Sequence, residues 1–328
     1  MNYRDFSNLG WKVSEIGLGC WQIGWCWGDV SDSEARNLLR KALDQGINFF
    51  DTSDTYGDGR SERFLSEILK SKSNKIYITT KLGRRIRGTN YPRGYKHDPM
   101  EEFVDRSLIN LGIDQIDLVQ LHCPPVDVCK KEETFEKMDQ IVRKGKIANY
   151  GVSVYNLSEA FESMKFTGVK SIQLVFNIFR QKPIEKFLKE AKKKNIAVIA
   201  RGPLASGLLS GDINEKTIFP ENDHRNYNRN GEAFDVGDTF SGVDFKKGLL
   251  AVKELKKILP KEFTLSQLAI KWILSHSDVA VTIPGAINSK QVEQNSKVSE
   301  MPEIPELLTK IQEIYNQLIK QDVDNKWI

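Results

Sequence analysis

Short β-branched runs alternate with segments of helical period along nearly the whole chain, and no other feature limits its fold as much. The runs are VSEIGLG (13–19), INFFD (47–51), KIYITTK (75–81), IDLVQLH (116–122), YGVS (150–153), SIQLVFN (171–177), IAVIAR (196–201) and VAVTIPG (279–285). Strands joined through helices pair in parallel, and eight βα units close readily into a ring. The expected fold is therefore α/β, a (β/α)8 TIM barrel, with residues 1–328 forming a single domain. No Pro/Gly/Ser-rich linker divides the sequence, and barrels with insertions reach this length as one unit.

The intervening helices are marked by their ends. Ser31 or Ser33 caps SEARNLLRKALDQ and Gly46 stops it, while Asp98 and Pro99 open PMEEFVDRSLINL and Gly112 closes it. Further helices are expected over 134–144, over 157–164 and in PIEKFLKEAKKKN after Pro183, with a C-terminal amphipathic helix over 302–320. One stretch breaks the rhythm. Residues 205–243, rich in Gly, Asn, Asp and aromatics, form an extended loop after strand seven. That position lies over the C-terminal mouth, where such barrels place their chemistry.

Composition narrows the function classes. The N-terminus carries charges where a leader needs an apolar run, and no stretch nears the ~20 apolar residues of a membrane span, so a cytoplasmic protein without a membrane partner is expected. Cys20, Cys26, Cys123 and Cys129 are too few for a disulfide scaffold and fit no zinc spacing. With only His97, His122, His224 and His276, and no H-x-H after the first strand, a metal-dependent hydrolase is not expected. The net charge of +4 is mild and the Lys clusters fall on helical patterns, which argues against a nucleic-acid partner. Nothing in the sequence points to an oligomeric state.

The reactive residues collect at strand ends. Asp51 ends the second strand, Tyr56 follows it, Lys81 ends the third and His122 ends the fourth. Singly, each has a plainer explanation: a turn-forming Asp, a solvated Lys, a packed Tyr, a hydrogen-bonded core His. Together they face one mouth, and a buried Lys needs the carboxylate that Asp51 supplies. An ammonium beside a phenol stabilises phenolate, so Lys81 is expected to lower the Tyr56 pKa by ~1–3 units and make it a usable acid. His122 could then hydrogen-bond a carbonyl oxygen.

At these residues the chain resembles a known family. NFFDTSDTYGDGRSE, ITTKLGRR, DLVQLH, YGVS, IARGPLASGLLSG and TIPGAINSKQVEQN together resemble the aldo-keto reductase superfamily, over nearly the full length. The resemblance implies a catalytic tetrad of Asp51, Tyr56, Lys81 and His122, with Tyr56 as general acid, in an oxidoreductase that reduces a small-molecule carbonyl. The implied cofactor is NADP, with NADPH favoured and NADH possible. Gly19, Cys20, Trp21 and Asp51 would lie near the nicotinamide, and Ser153 and Gln173 would bind its carboxamide. Gly202, Pro203, Leu204, Ser206, Gly207 and Leu209 would follow the pyrophosphate, and Gly285, Ala286, Ile287, Asn288, Gln291, Gln294 and Asn295 the adenosine end.

Four positions depart from the pattern. Val154 stands where relatives often have Asn, and Arg201 where many carry an aromatic residue against the nicotinamide. A guanidinium plane can stack on a ring as well, or reach a phosphate or the substrate. Ile287 and Gln291 replace the Arg that often pairs with a 2′-phosphate, leaving Lys290 nearby. The GLG at 17–19 lacks the third glycine and the acidic partner of a Rossmann fingerprint. Trp21, Trp25 and Trp27, with Tyr56 and His122, are the expected substrate pocket, and Tyr91, Tyr95, Tyr227 and Phe234 could extend it. Both an aromatic and a sugar-like or polyol-type carbonyl are compatible with that lining. A different class of function, a nicotinamide-binding subunit that senses redox state for a partner, would use the same barrel.

Overall fold

The runs 77–82, 116–122 and 169–175 are buried almost along their whole length, as strands must be when helices cover one face of a sheet and barrel packing the other. A computed structural model describes residues 1–24, 30–69, 75–84 and 100–328. After an antiparallel hairpin of β1 (Tyr3–Asp5) and β2 (Lys12–Ser14) come β3 (Leu18–Gly19), β4 (Phe49–Asp51), β5 (Tyr77–Leu82) and β6 (Ile116–His122). β7 (Ile147–Ser153), β8 (Val169–Val175), β9 (Ala197–Arg201) and β10 (Val281–Thr282) complete the set. β3 to β10 pair in parallel, each with its neighbour in sequence.

The ring closes between its first and last strands. Parallel bridges join Ile16 to Thr282 and Gly19 to Gly285. There the Gly17 amide donates to the Thr282 carbonyl at 2.8 Å and the Gly19 amide to the Pro284 carbonyl at 3.1 Å. The approach is close enough that a Cβ on Gly19 would stand 2.9 Å from the Ile283 oxygen, which explains the glycine. The fold is thus an α/β barrel.

The run 13–19, expected as one strand, is two. Val13 and Ser14 pair with the N-terminal β1, whereas Leu18 and Gly19 pair with β4 and Ile16 bridges to the last strand. The reason is packing: Phe6 and Val13 of the hairpin region bury against Phe49, Tyr77, Leu118, Ala197 and Val281, which plugs the N-terminal end of the barrel. The opposite end holds a cavity.

Helices form where the caps put them. Ser31, not Ser33, caps the helix Asp32–Asp44 through a capping box with Glu34, and Gly46 takes the left-handed φ of 80° that ends it. Met100–Leu111 ends before Gly112 at φ 65°; its expected caps, Asp98 and Pro99, lie outside the described residues. The helix expected over 302–320 runs Pro305–Leu318, with Pro305 in its first turn, and Lys320–Val323 follows. Residues 202–244 contain only short pieces, 3-10 turns at Ala205–Ser210, Val236–Asp238 and Phe240–Gly242 and one helical turn at His224–Tyr227. Among the described residues no helix is long and apolar enough to cross a membrane.

Candidate functional site

The C-terminal ends of β4, β5 and β6 carry Asp51, Lys81 and His122 to one place. Lys81 is buried, and its ammonium donates to Asp51 Oδ2 at 2.6 Å, to the Thr52 carbonyl at 2.8 Å and to the Tyr56 hydroxyl at 3.2 Å. All three ammonium donors are therefore used. The other Asp51 oxygen accepts from Gln173 Nε2 at 2.7 Å, and Gln173 Oε1 accepts from the Ser153 hydroxyl at 3.3 Å. Tyr56 is brought in by the turn after β4; the short 22–24 turn packs against its backbone, where a Cβ on Gly24 would stand 2.7 Å from the Tyr56 carbonyl carbon. The His122 ring meets the Tyr56 ring edge-on at 6.2 Å, with Nδ1 3.3 Å from the Ser53 hydroxyl.

Burial decides the protonation states. It pushes the Tyr56 phenol up to about 12, and Lys81 offsets only part of this, so the expected lowering of Tyr56 is not what the folded site does. Burial works to lower the Lys81 ammonium, but Asp51 and Tyr56 together raise it. Burial, then Arg84, Lys81 and Arg201, hold His122 well below its ordinary value. At neutral pH the site presents a neutral phenol, a fixed ammonium behind it and a neutral imidazole beside it. Such a set can hand a proton to an oxygen that is gaining negative charge, with the ammonium in place to hold the phenolate left behind.

The tetrad opens into a cavity of about 1040 Å³. Its walls include Gly19, Trp21, Ser153, Gln173, Arg201, Gly202, Pro203, Leu204, Ser206 and Gly207 on the side of the tetrad and the β9 loop. Gly285, Ala286, Ile287, Gln291, Gln294 and Asn295 line the other end. Three expected residues do not line it: Asn288 instead caps the helix Ser289–Lys297, its side chain accepting from the Gln291 amide at 3.0 Å. Cys20 is buried in the core with its thiol toward the Leu18 carbonyl, and Leu209 is buried in the same core because the turn at Ser206 and Gly207 directs it inward. Trp21, Tyr227 and Phe234 line the mouth, whereas Trp25, Trp27, Tyr91 and Tyr95 lie outside the described residues.

Sequence reasoning missed Gln22, Arg84, Tyr155 and Asp238, all of which line the cavity. Arg84 and Tyr155 follow Lys81 and Ser153 closely enough to have been found from their strands, but Asp238 carries no local signal. It pairs with Arg201 and accepts from the Tyr155 hydroxyl at 3.0 Å. Arg201 thereby lies across the end of β9, also donating to the Val154 carbonyl at 3.3 Å, with its guanidinium 5.5 Å from the Tyr155 ring centre. Its Nε and Gln22 Oε1 are buried polar atoms without a partner among the described residues. A cleft with glycines at close approaches, amide and hydroxyl donors at both ends and such atoms between them fits an extended polar ligand the size of a dinucleotide.

Residues 15–316 match the model of the Aldo/keto reductase family. The chain is 31% identical to the aldo-keto reductase YhdN of Bacillus subtilis (strain 168), over 91% of this chain and 89% of that protein. It is 27% identical to a probable voltage-gated potassium channel subunit beta of Arabidopsis thaliana, over 96% of each. The glycerol dehydrogenase AKR11B4 of Gluconobacter oxydans superimposes with a TM-score of 0.76 at 28% identity, covering 99% of this chain and 97% of that one.

Proposed function

The chain belongs to the aldo/keto reductase family, and from this premise we propose that it is an NADPH-dependent carbonyl reductase whose proton donor is Tyr56. The observation that carries the reading is the position of Lys81 Nζ, 2.6 Å from Asp51 and 3.2 Å from the Tyr56 hydroxyl. When bound, the dinucleotide supplies the hydride. Tyr56 donates its proton to the carbonyl oxygen, Lys81 holds the resulting phenolate, Asp51 fixes Lys81, and neutral His122 orients the oxygen. Ser153 and Gln173 are read as carboxamide partners, residues 202–207 as the pyrophosphate strip and 285–295 as the adenosine pocket. NADPH is favoured and NADH is accepted.

Residues 202–244 are read as the wall that shapes the substrate end, for small aldehydes or ketones of aromatic or polyol character. The aromatic character is supported by Trp21, whose ring lies 6.3 Å from Tyr56, 4.9 Å from His224 and 6.2 Å from Phe234. We read residues 1–328 as one domain, working in the cytoplasm without nucleic-acid or membrane partners. The test is NADPH oxidation by the purified protein with 4-nitrobenzaldehyde and with glyceraldehyde; absence of turnover with either, despite tight NADPH binding, would favour the second reading. That reading, a redox-sensing subunit, is supported by the similarity to a channel subunit beta. It predicts high cofactor affinity with very slow turnover.

A further inference from the structure

Behind the cavity wall, on the side away from the tetrad, Trp327 is buried in a position that no part of the chemistry explains. Its indole N–H donates to Asp235 Oδ1 at 3.0 Å. Its ring lies 3.8 Å from the guanidinium of Arg180, a buried cation whose pKa burial lowers to about 9. Two glycines of the wall make room for it. A Cβ on Gly237 would stand 3.0 Å from the indole, and one on Gly242 2.0 Å from it. Residues 235–242 thus rest on Trp327 by one hydrogen bond and by direct contact.

The same residues hold the cavity's inner surface. Asp238 pairs with Arg201 at the end of β9, and the Asp238 carbonyl accepts from the Ser206 hydroxyl at 2.9 Å, which itself accepts from the Phe240 amide at 3.1 Å. Ser241 accepts from Asn177 at 2.8 Å, and Asn177 also donates to the Gly202 carbonyl at 2.7 Å. The stretch 202–207 is therefore tied to 235–242, and 235–242 is held from behind by Trp327 as well as by Arg201, Asn177 and Arg180, which donates to the Ser241 carbonyl at 3.4 Å.

We propose that Trp327 is a positioning residue that latches residues 235–242 against the cavity and so sets how long a dinucleotide stays bound. The proposal rests on the function proposed above for its ligand, but the latch itself is a property of the chain. An indole provides both halves of it: an N–H for Asp235 and a π face for Arg180, which is costly to leave buried without that face. A ligand lying under 202–207 leaves when that stretch moves, and loosening 235–242 from Trp327 removes one of the supports that resist the movement.

The experiment compares the 328-residue protein with Trp327→Ala, Trp327→Phe and Asp235→Ala. In cofactor-free protein, amide hydrogen exchange over 236–242 is expected to accelerate about tenfold or more in Trp327→Ala, the scale of one desolvated cation–π contact or one hydrogen bond to a charged group, with β5 to β8 unchanged. NADPH dissociation, followed by stopped-flow displacement, should speed up by a similar factor. Trp327→Phe keeps a π face and loses the N–H, so it should fall between. Should Trp327→Ala not fold, Trp327→Phe and Asp235→Ala decide the matter by the same readouts. Unchanged exchange at 236–242 in every folded variant overturns the latch. A wild type that binds no NADPH refutes the proposed function instead, and leaves the exchange measurement to judge Trp327.

Discussion

Lys81 donates a hydrogen bond to the Tyr56 hydroxyl at 3.2 Å, and its ammonium, 4.9 Å from the centre of the Tyr56 ring, lies beyond the oxygen, so its charge acts on the atom that would carry the negative charge of a phenolate. The phenol nevertheless stays protonated to about pH 12, because burial outweighs the cation. Lys81 is therefore best seen as a charge that waits for phenolate, since its attraction grows only when the proton leaves.

Tyr56→Phe is expected to reduce turnover by at least ~100-fold, the low end for a positioned general acid, with NADPH affinity little changed because only a hydroxyl is removed. Steady-state rates and fluorescence titration of NADPH measure the two effects. Near wild-type reduction by this variant at neutral pH would refute the role of Tyr56.

Lys81→Met should leave almost no activity and lower stability by about 3 kcal/mol or more, because the buried Asp51 carboxylate keeps Gln173 but loses its ammonium. Urea unfolding reads the stability. The wild-type reductive rate should stay flat through pH 9, since the acid form of Tyr56 persists to about pH 12. An alkaline limb below pH 9 that is unmoved by Lys81→Met would sever the coupling between the two residues.

Burial holds His122 well below 6.5 and His224 at about 4, so both are neutral in the folded protein over a range where an unfolded chain protonates them. The unfolded state then binds more protons, and the stability these groups contribute is complete above about pH 6.5 and is lost as pH falls toward 4, by up to ~1.4 kcal/mol per pH unit for each. The urea midpoint should drop between pH 7 and pH 5. Identical midpoints would mean that these rings are solvated.

Ile287 is half-exposed at the far end of the cavity, its amide donating to Gln291 Oε1 at 2.9 Å, with no guanidinium on either residue. Ile287→Arg should tighten NADPH roughly ten- to hundredfold and NADH much less, as a charge-assisted hydrogen bond to a phosphate does. Dissociation constants at low and high salt check this, because exposed charge pairs are screened. Equal gains for both dinucleotides would place the 2′-phosphate elsewhere.

What the sequence made legible follows the physics of its segments. Strands buried along their length read as apolar runs, and Asp51, Lys81 and His122 stand out as candidates because polar or charged groups directly after such runs are costly unless paired. The 13–19 stretch misled because Val13 and Ser14 have the same strand-like character as Leu18, and only packing against Phe49 and Val281 assigns them to the hairpin. Asp238 was invisible because its partner Arg201 lies on a different element, and acidic residues are common in polar loops. The rise of Tyr56 to about 12 was missed because adjacency to Lys81 can be read from a motif, but burial cannot.

The junction between Gly19 and Gly285 couples residues from opposite ends of the chain. Ordering so long an intervening stretch costs entropy that no local contact repays early, so this junction is expected to form late in folding and to limit its rate. Gly19 and Gly285 also line the cavity. A molecule that spans it would grip both edges of this joint and favour the closed ring, so a bound dinucleotide is expected to raise refolding yield.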